Sequence, residues 1–164
     1  MDRRGFISQV VGSTSAFALL ANPLFAEPPH AGAGAAGDSK LKWQKNLKTA
    51  QKLAVQQDKP MMIVFGASWC TYCHKLERET LNDKKTAALI EREFIPVHLD
   101  FDKEPKIAKI LEVERLPCTV ILTPEADLLV RSEGFADAKE FQSTLNSALE
   151  KRAEVQQVRA SVNR

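Results

Sequence analysis

The sequence predicts an α/β protein in which a mixed central sheet of about four strands lies between two layers of helices. Two observations lead to this fold class. Predicted strands and helices alternate along the first part of the domain, which is typical of parallel strands joined by helices. The last two strands are instead joined by a short turn and followed by one helix, so this pair is antiparallel and the sheet is mixed.

The first predicted helix and the strand after it define how the domain begins. Apolar residues recur at helical spacing until Pro60, which cannot continue a helix. Met61 to Gly66 is then a continuous apolar run, typical of a strand buried on both faces. The helical spacing is carried by Trp43, Leu47, Ala50, Leu53 and Ala54.

The later elements complete the order αβα, βα and ββα, in which the two helices after the first strand are counted as one. Helices are predicted from Cys70 to about Leu81 and from about Asp83 to Glu93, and a strand from Phe94 to Asp100. Pro96 has no N–H group, so this strand should lie at a sheet edge or bond only on the side away from that nitrogen. A short helix, two strands and a closing helix are predicted at 103–113, 118–123, 128–132 and 138–151.

Length and composition indicate one soluble domain with extensions. The 164 residues are 44% hydrophobic and 27% charged, with a formal net charge of +2, so nothing in the charge favours nucleic acid as a partner. No repeat and no second change of composition interrupts the chain after residue 40. We therefore expect a domain at 40–152 and a polar C-terminal tail at 153–164.

The N-terminus has the pattern of a bacterial signal peptide. Residues 1–26 begin with the pair Arg3 and Arg4, continue with an apolar stretch and end at Ala26, which resembles a twin-arginine signal. Residues 27–39 are small and flexible, which is typical of a linker. We expect a periplasmic or otherwise exported bacterial protein with no stable membrane span after cleavage, although a retained anchor remains an alternative.

Two cysteines separated by two residues carry the predicted chemistry. Cys70 directly follows the buried strand and opens a helix, where unpaired N–H groups and the helix dipole favour a thiolate. Cys73 lies one turn further along and can resolve a mixed disulfide formed at Cys70. Cys70 is therefore the predicted nucleophile and Cys73 the resolving thiol, and this redox-active pair needs no cofactor or metal.

The residues around this pair resemble the active-site segment of the thioredoxin superfamily, and the similarity extends from about Trp43 to Leu149. Leu116-Pro117 matches the cis-proline of that superfamily. Within it, the chain looks most like the periplasmic C-terminal domain of the reductase DsbD, while its active-site segment is also similar to the isomerase DsbC. The matching segments are Phe65 to Lys75, Leu116-Pro117 and Gly134-Phe135.

The resemblance implies a thioredoxin fold and thiol–disulfide oxidoreductase activity. It implies as partners disulfide-containing exported proteins and an upstream membrane electron donor or acceptor. Substrate would be bound by the residues next to the cysteines and by the proline loop. These residues are Trp69, Thr71, Tyr72, Leu116 and Pro117.

Two departures from the superfamily pattern concern the chemistry of the pair. Val64 stands where many thioredoxins have a buried aspartate that assists proton transfer to the resolving thiol, so water or another group must handle that proton. Thr71-Tyr72 replaces Gly-Pro between the cysteines, so the reduction potential of the superfamily cannot be assumed here.

Other interpretations of the cysteines remain open at this point. Cys70 and Cys73 could form a structural disulfide or half of a zinc site, or hold copper, and with His74 they also match the CxxCH pattern of haem attachment. Cys118, the third thiol, is either a small buried hydrophobic residue or an auxiliary thiol close to the pair. His74 is interpreted as a solvated polar residue.

Overall fold

A computed structural model of the protein describes residues 41–162, and the predicted signal peptide and linker at 1–39 lie outside this range. The described residues form five helices and four strands in the predicted order. Helix α2 continues directly into a π-helical stretch, Leu76–Leu81. The elements are α1 Leu47–Gln57, β1 Met61–Gly66, α2 Thr71–Lys75, α3 Lys84–Glu93, β2 Ile95–Asp100, α4 Pro105–Ile110, β3 Cys118–Leu122, β4 Leu128–Glu133 and α5 Ala138–Val162.

The four strands form one mixed sheet with the spatial order β2-β1-β3-β4. Strand β1 pairs in parallel with β2 and antiparallel with β3. Strands β3 and β4 form the antiparallel hairpin expected from their short turn. The predicted mixed sheet of about four strands is therefore confirmed, and β1, which leads into the cysteines, is a central strand.

Strand β2 is the edge strand that Pro96 predicts. Ile95 N donates to Pro60 O at 2.9 Å on the side of β1, whereas His98 N points outward and donates to Gln44 O at 2.9 Å. Because N–H groups alternate along a strand, the nitrogen of Pro96 faces outward and no hydrogen bond to β1 is lost. The carbonyl of Pro96 accepts a hydrogen bond from Gln44 N at 2.9 Å, so the chain before α1 partly covers this edge.

Helices cover both faces of the sheet, as a three-layer sandwich requires. All six residues of β1 are buried, and successive side chains enter opposite cores. One core joins the sheet to the π-helical stretch, α3 and α5, and the other joins it to α1 and α4. The largest fully buried side chains of the two cores include Phe94, Phe141 and Leu145 in the first and Phe65, Ile63 and Leu99 in the second.

Helix α1 begins later than the apolar spacing predicts. The side chain of Asn46 accepts a hydrogen bond from Thr49 N at 3.0 Å and so caps the helix in front of Leu47. Trp43 lies outside the helix and packs in the opposite core from Leu47, so the prediction that both share one helical face is wrong. The physical reason is that Gln44, the residue after Trp43, pairs with β2, so the chain does not become helical before Asn46.

Two further helix boundaries differ from the prediction because of contacts distant in sequence or local turns. Helix α4 starts only at Pro105, since the residues before it fold back onto the carboxylate of Asp100. Helix α5 continues to Val162 rather than ending at residue 151. Its extension is anchored by ion pairs of Arg152 with Asp58 and of Arg159 with two carboxylates in the β3–β4 turn, Glu125 and Asp127.

Asp83 caps α3 and also connects it to α5. Its carboxylate accepts hydrogen bonds from Thr86 N at 2.9 Å and from Gln142 Nε2 at 3.2 Å. The hydrogen bond from the Thr86 backbone is the main cause that lowers the pKa of Asp83 below its usual value. The carboxylate is therefore bound more strongly in the folded state than its protonated form is.

Replacing Asp83 by alanine should lower the free energy of unfolding by about 1 kcal/mol at neutral pH, the usual cost of losing such a cap. Because the folded pKa is depressed, the difference from wild type should be full above the usual pKa of aspartate and disappear as the pH falls through the folded value. Urea unfolding at several pH values measures this, and a difference independent of pH would contradict it.

Candidate active site

Cys70 and Cys73 form a disulfide at the start of α2, just after the chain leaves β1. Their Cα atoms are 5.3 Å apart, and both residues are buried. The chain leaves β1 at Gly66 and turns through a hydrogen bond from Cys70 N to Ala67 O at 3.0 Å, which sets the direction in which α2 begins. The two predicted catalytic residues are therefore directly bonded, and in this state neither sulfur is free as a metal ligand or for a thioether bond to haem.

The backbone around Cys70 favours negative charge on its sulfur. Cys70 is the N-cap of α2 and its Sγ accepts a hydrogen bond from Cys73 N at 3.1 Å. In the reduced state, this N–H group and the positive end of the helix would stabilise a thiolate at Cys70. Cys73 lies inside the first turn and receives no comparable contact, so the two sulfurs have different environments.

Two exposed aromatic side chains flank the disulfide. Trp69 and Tyr72 are 66% and 62% exposed, which is unusual for large side chains that also contact a buried pair. The indole of Trp69 is oriented by a hydrogen bond from Nε1 to Asp102 Oδ2 at 2.9 Å. Trp69 and Tyr72 together provide an exposed apolar surface beside the disulfide that a large partner could contact.

The predicted proline loop also lies against the disulfide. The Leu116–Pro117 peptide bond is cis, and the side chain of Leu116 packs against Cys70 and Cys73. Pro117 O accepts a hydrogen bond from Gly134 N at 2.7 Å, which ties the loop to the end of β4. The structure thus brings together segments that are far apart in the sequence.

An open cleft of about 340 Å³ lies next to Cys70. Two of its residues, Phe101 and Glu114, were not singled out from the sequence, because they lie in loops after β2 and before β3 whose position depends on the fold. A larger cleft of about 470 Å³ near Gln57 and Glu91 contains no cysteine. The lining of the smaller cleft is Trp69, Cys70, Thr71, Tyr72, Phe101, Glu114 and Leu116.

Cys118, the free thiol, lies in the core. Its side chain is fully buried and belongs to the α1 and α4 side of the sheet, while the disulfide forms a separate cluster. Burial, with a smaller effect from the charge of Glu133, raises the pKa of the Cys118 thiol to about 11. A thiol that remains protonated is a poor nucleophile, so this environment favours the interpretation of Cys118 as a small hydrophobic residue.

His98, which was not singled out from the sequence, lies close to Cys73, and Glu77 lies beside His98. His98 is on β2 opposite Val64 of β1, and its Nε2 atom is 3.1 Å from Oε1 of Glu77. A Cβ atom placed on Gly66 would be 3.3 Å from His98 Nε2 and 3.8 Å from Cys73 Sγ. The signal in the sequence was a histidine within an otherwise apolar strand. His74, in contrast, has Nε2 at 3.0 Å from Ser68 O and more exposed surroundings.

Within residues 41–162, no group of three or more His, Cys, Asp or Glu residues is arranged to hold a metal ion. In the same range, none of the helices combines the length and the apolar character needed to cross a membrane.

Comparison with known proteins identifies the family. A family model described as a thioredoxin-like domain matches residues 47–149, so this chain belongs to the thioredoxin-like domain family. Thioredoxin Y1 from chloroplasts of Arabidopsis thaliana is 30% identical over 105 residues, 60% of this chain and 55% of that protein. An uncharacterised Caenorhabditis elegans protein is 25% identical over 93 residues, and the match covers 52% of this chain and only 13% of that protein.

Solved structures show the same fold at low sequence identity. The DsbH oxidoreductase superposes with a TM-score of 0.63 at 20% identity, covering 76% of this chain and 96% of that one. A thioredoxin from Thermus thermophilus gives 0.61 at 24% identity, covering 66% and 87%. The oxidised DsbD C-terminal domain of Neisseria meningitidis gives 0.52 at 22%, covering 60% and 92%.

The expected thioredoxin fold and the resemblance to the superfamily, with the DsbD domain among the similar structures, are therefore confirmed. Family membership together with a disulfide at the start of α2 supports thiol–disulfide oxidoreductase activity.

If Cys118 is a core residue, the native protein should not be alkylated at this position by iodoacetamide at pH 7, because its thiol is buried and its pKa is about 11. Mass spectrometry after labelling in buffer and in guanidinium chloride measures this. We expect labelling only after unfolding, and rapid labelling of the folded protein would instead support an auxiliary thiol.

Proposed function

We propose that this protein is an exported bacterial thiol–disulfide oxidoreductase that reduces or exchanges disulfides in other exported proteins. The observation that carries the proposal is the Cys70–Cys73 disulfide, whose first sulfur lies at the beginning of a helix and lines an open cleft. A buried structural disulfide would need neither this cleft nor the exposed aromatic side chains beside it.

The reaction begins from the reduced pair. The Cys70 thiolate attacks one sulfur of a substrate disulfide, which forms a mixed disulfide and releases the first substrate thiolate. Cys73 then loses its proton and attacks Cys70 Sγ, which forms the Cys70–Cys73 disulfide and releases the second substrate thiolate. The two released thiolates each take up a proton. Two electrons have moved from the enzyme dithiol to the substrate, and the reverse sequence describes oxidation of a substrate dithiol.

The cleft next to Cys70 suits an extended polypeptide. Leu116 packs against the cysteine pair, and Trp69 and Tyr72 add exposed apolar surface to the lining of the same cleft. A substrate segment could therefore lie between them with its cysteine at Cys70 and bond to the backbone of the Leu116-Pro117 loop. Trp69, Thr71, Tyr72, Leu116 and Pro117 are the proposed substrate-binding residues.

Export and the electron partner are proposed from the sequence. The pair Arg3 and Arg4 and the apolar stretch after it have the pattern of a twin-arginine signal, and they precede a segment of small residues at 27–39 whose composition is typical of a linker. A periplasmic enzyme whose dithiol is oxidised by its substrate must be reduced again before the next turnover. We therefore propose an upstream membrane protein as electron donor, or as electron acceptor if the enzyme oxidises its substrates.

Reduction of insulin disulfides tests the proposed activity. Cys70→Ala should abolish turnover, because the remaining thiol, Cys73, is buried and does not line the cleft where substrate would bind. Cys73→Ala should form the first mixed disulfide but not resolve it, so a protein–insulin adduct should accumulate on a non-reducing gel. Cys118→Ala is the matched control and should retain activity within about twofold of wild type, since that thiol lies in the core. Turnover that persists in Cys70→Ala would overturn the proposal.

Export is tested separately by changing Arg3 and Arg4 together to lysine in the full-length chain. A twin-arginine signal requires the guanidinium groups, so the double variant should remain unprocessed in the cytoplasm while wild type reaches the periplasm. Immunoblots of the two fractions measure this, with Arg92→Lys in α3 as a control that should not alter export. Equal periplasmic amounts of the double variant and wild type would contradict this route.

A further inference from the structure

We propose that His98, oriented by Glu77, is the proton relay of the resolving thiol Cys73. The proposal rests on the proposed dithiol chemistry of Cys70 and Cys73 and assigns the group that removes the proton of Cys73. Without such a group, a thiol buried in the first turn of α2 would have to lose its proton directly to water.

Geometry supplies the first argument. Both His98 Nε2 and Cys73 Sγ lie against the space that a side chain at position 66 would fill, at 3.3 Å and 3.8 Å from the position of its Cβ. Cys73 Cβ lies 3.6 Å from the same position, so a side chain at position 66 would contact both His98 and Cys73. His98 reaches this place because β2 pairs in parallel with β1, which sets His98 opposite Val64 and two residues before the partner of Gly66.

The state of the nitrogen supplies the second argument. His98 Nε2 is shielded from solvent and has no hydrogen bond of good geometry among the described residues, although Glu77 Oε1 lies only 3.1 Å away. A buried nitrogen without a well-aligned partner is unusual in a folded protein and needs an explanation. A nitrogen that accepts a proton during the reaction is such an explanation, because its partner is then a transient one.

The surroundings of His98 complete a route for the proton. The side chain of His98 is 34% exposed although Nε2 is not, so its exposed part lies elsewhere, towards a cleft of about 340 Å³ that Trp43, Lys45, Glu77 and Asn82 also line. The ring of Trp43 holds the imidazole edge to face, with ring centres 5.7 Å apart. The proton can therefore leave the protein through this second cleft, whose lining residues differ from those of the substrate cleft.

Glu77 is the positioning residue of this arrangement. Glu77 is the second residue of the π-helical stretch. The wide turn of this stretch is closed by a hydrogen bond from Asn82 N to Glu77 O at 3.1 Å. Its carboxylate, 44% exposed, attracts the imidazolium formed when His98 accepts a proton. Among the described residues, Lys45 lines the same cleft as His98, and Asp100, two residues further along β2, pairs with Lys103 at 3.0 Å.

The proposed step is balanced as follows. Once substrate is bound to Cys70 as a mixed disulfide, the proton of the Cys73 thiol passes to His98 Nε2 and the sulfur becomes a thiolate. The thiolate attacks Cys70 Sγ, and the bond between Cys70 and the substrate breaks with its electron pair on the substrate sulfur. The imidazolium then returns to its neutral form by releasing the proton to solvent through the cleft. In the opposite direction, the same route delivers a proton to Cys73.

The test separates the two steps of the reaction. Reduced protein is mixed with oxidised glutathione, quenched with acid at short times, and the fractions of dithiol, glutathione adduct and disulfide are measured by mass spectrometry. In His98→Gln, formation of the adduct at Cys70 should proceed at the wild-type rate, while its resolution should be about tenfold slower at pH 7. The difference between the two proteins should become smaller as the pH rises, because hydroxide can then remove the Cys73 proton without the imidazole.

Further variants distinguish a loss of proton transfer from a purely structural effect of the substitution. Gly66→Ala retains the imidazole but fills the space beside it, so it should slow the same step, and thermal unfolding reports whether each variant is folded. Glu77→Gln should slow resolution less than His98→Gln, whereas Glu79→Gln, a matched change on the exposed face, should leave it unchanged. Equal resolution rates at pH 7 in wild type, His98→Gln and Gly66→Ala would overturn the relay.

The two proposals fail in distinguishable ways. If wild-type protein forms no adduct with glutathione and reduces no insulin, the proposed activity itself is wrong. If the wild type completes both steps and resolution in the His98 variant is slowed equally at all pH values, the histidine has a structural role and only the relay is wrong.

Discussion

The active site depends on the residue at which helix α2 begins. Cys70 has extended backbone, with φ −88° and ψ 100°, and the next residue is helical, so the change of conformation falls on the residue that carries the nucleophilic sulfur. This backbone geometry lets Cys73 N donate a hydrogen bond to Cys70 Sγ and brings the sulfur of Cys73 within bonding distance of Cys70. It also places the pair against Leu116. Strand β1 fixes this point because it is buried on both faces and paired on both sides.

Much of the fold could be predicted because burial leaves a direct pattern in the sequence. The unbroken apolar run of β1 predicted a central strand, and the missing N–H group of Pro96 predicted an edge strand. Helix boundaries were less predictable, because distant contacts determine them. Nothing near residue 151 indicates that Arg159 will bind carboxylates of the β3–β4 turn, yet these ion pairs accompany the continued helix.

The same distinction applies to the site. The cysteine pair and its helix are neighbours in sequence, so local reasoning was sufficient to find them. Phe101 and Glu114 enter the cleft because of the fold, and His98 approaches Cys73 because β1 and β2 pair in a particular register. Val64 predicted that water or another group must handle the proton of Cys73, and the pairing of Val64 with His98 is what suggests a particular side chain.

The close approach at Gly66 also constrains how this sequence can diverge. A methyl group at position 66 would meet His98 Nε2 at 3.3 Å, tighter than an ordinary contact, so a larger residue there would require the neighbouring strand to change as well. Among related chains, positions 66 and 98 should therefore vary as a pair: histidine should accompany glycine, and chains with a bulkier residue at position 66 should have lost the imidazole.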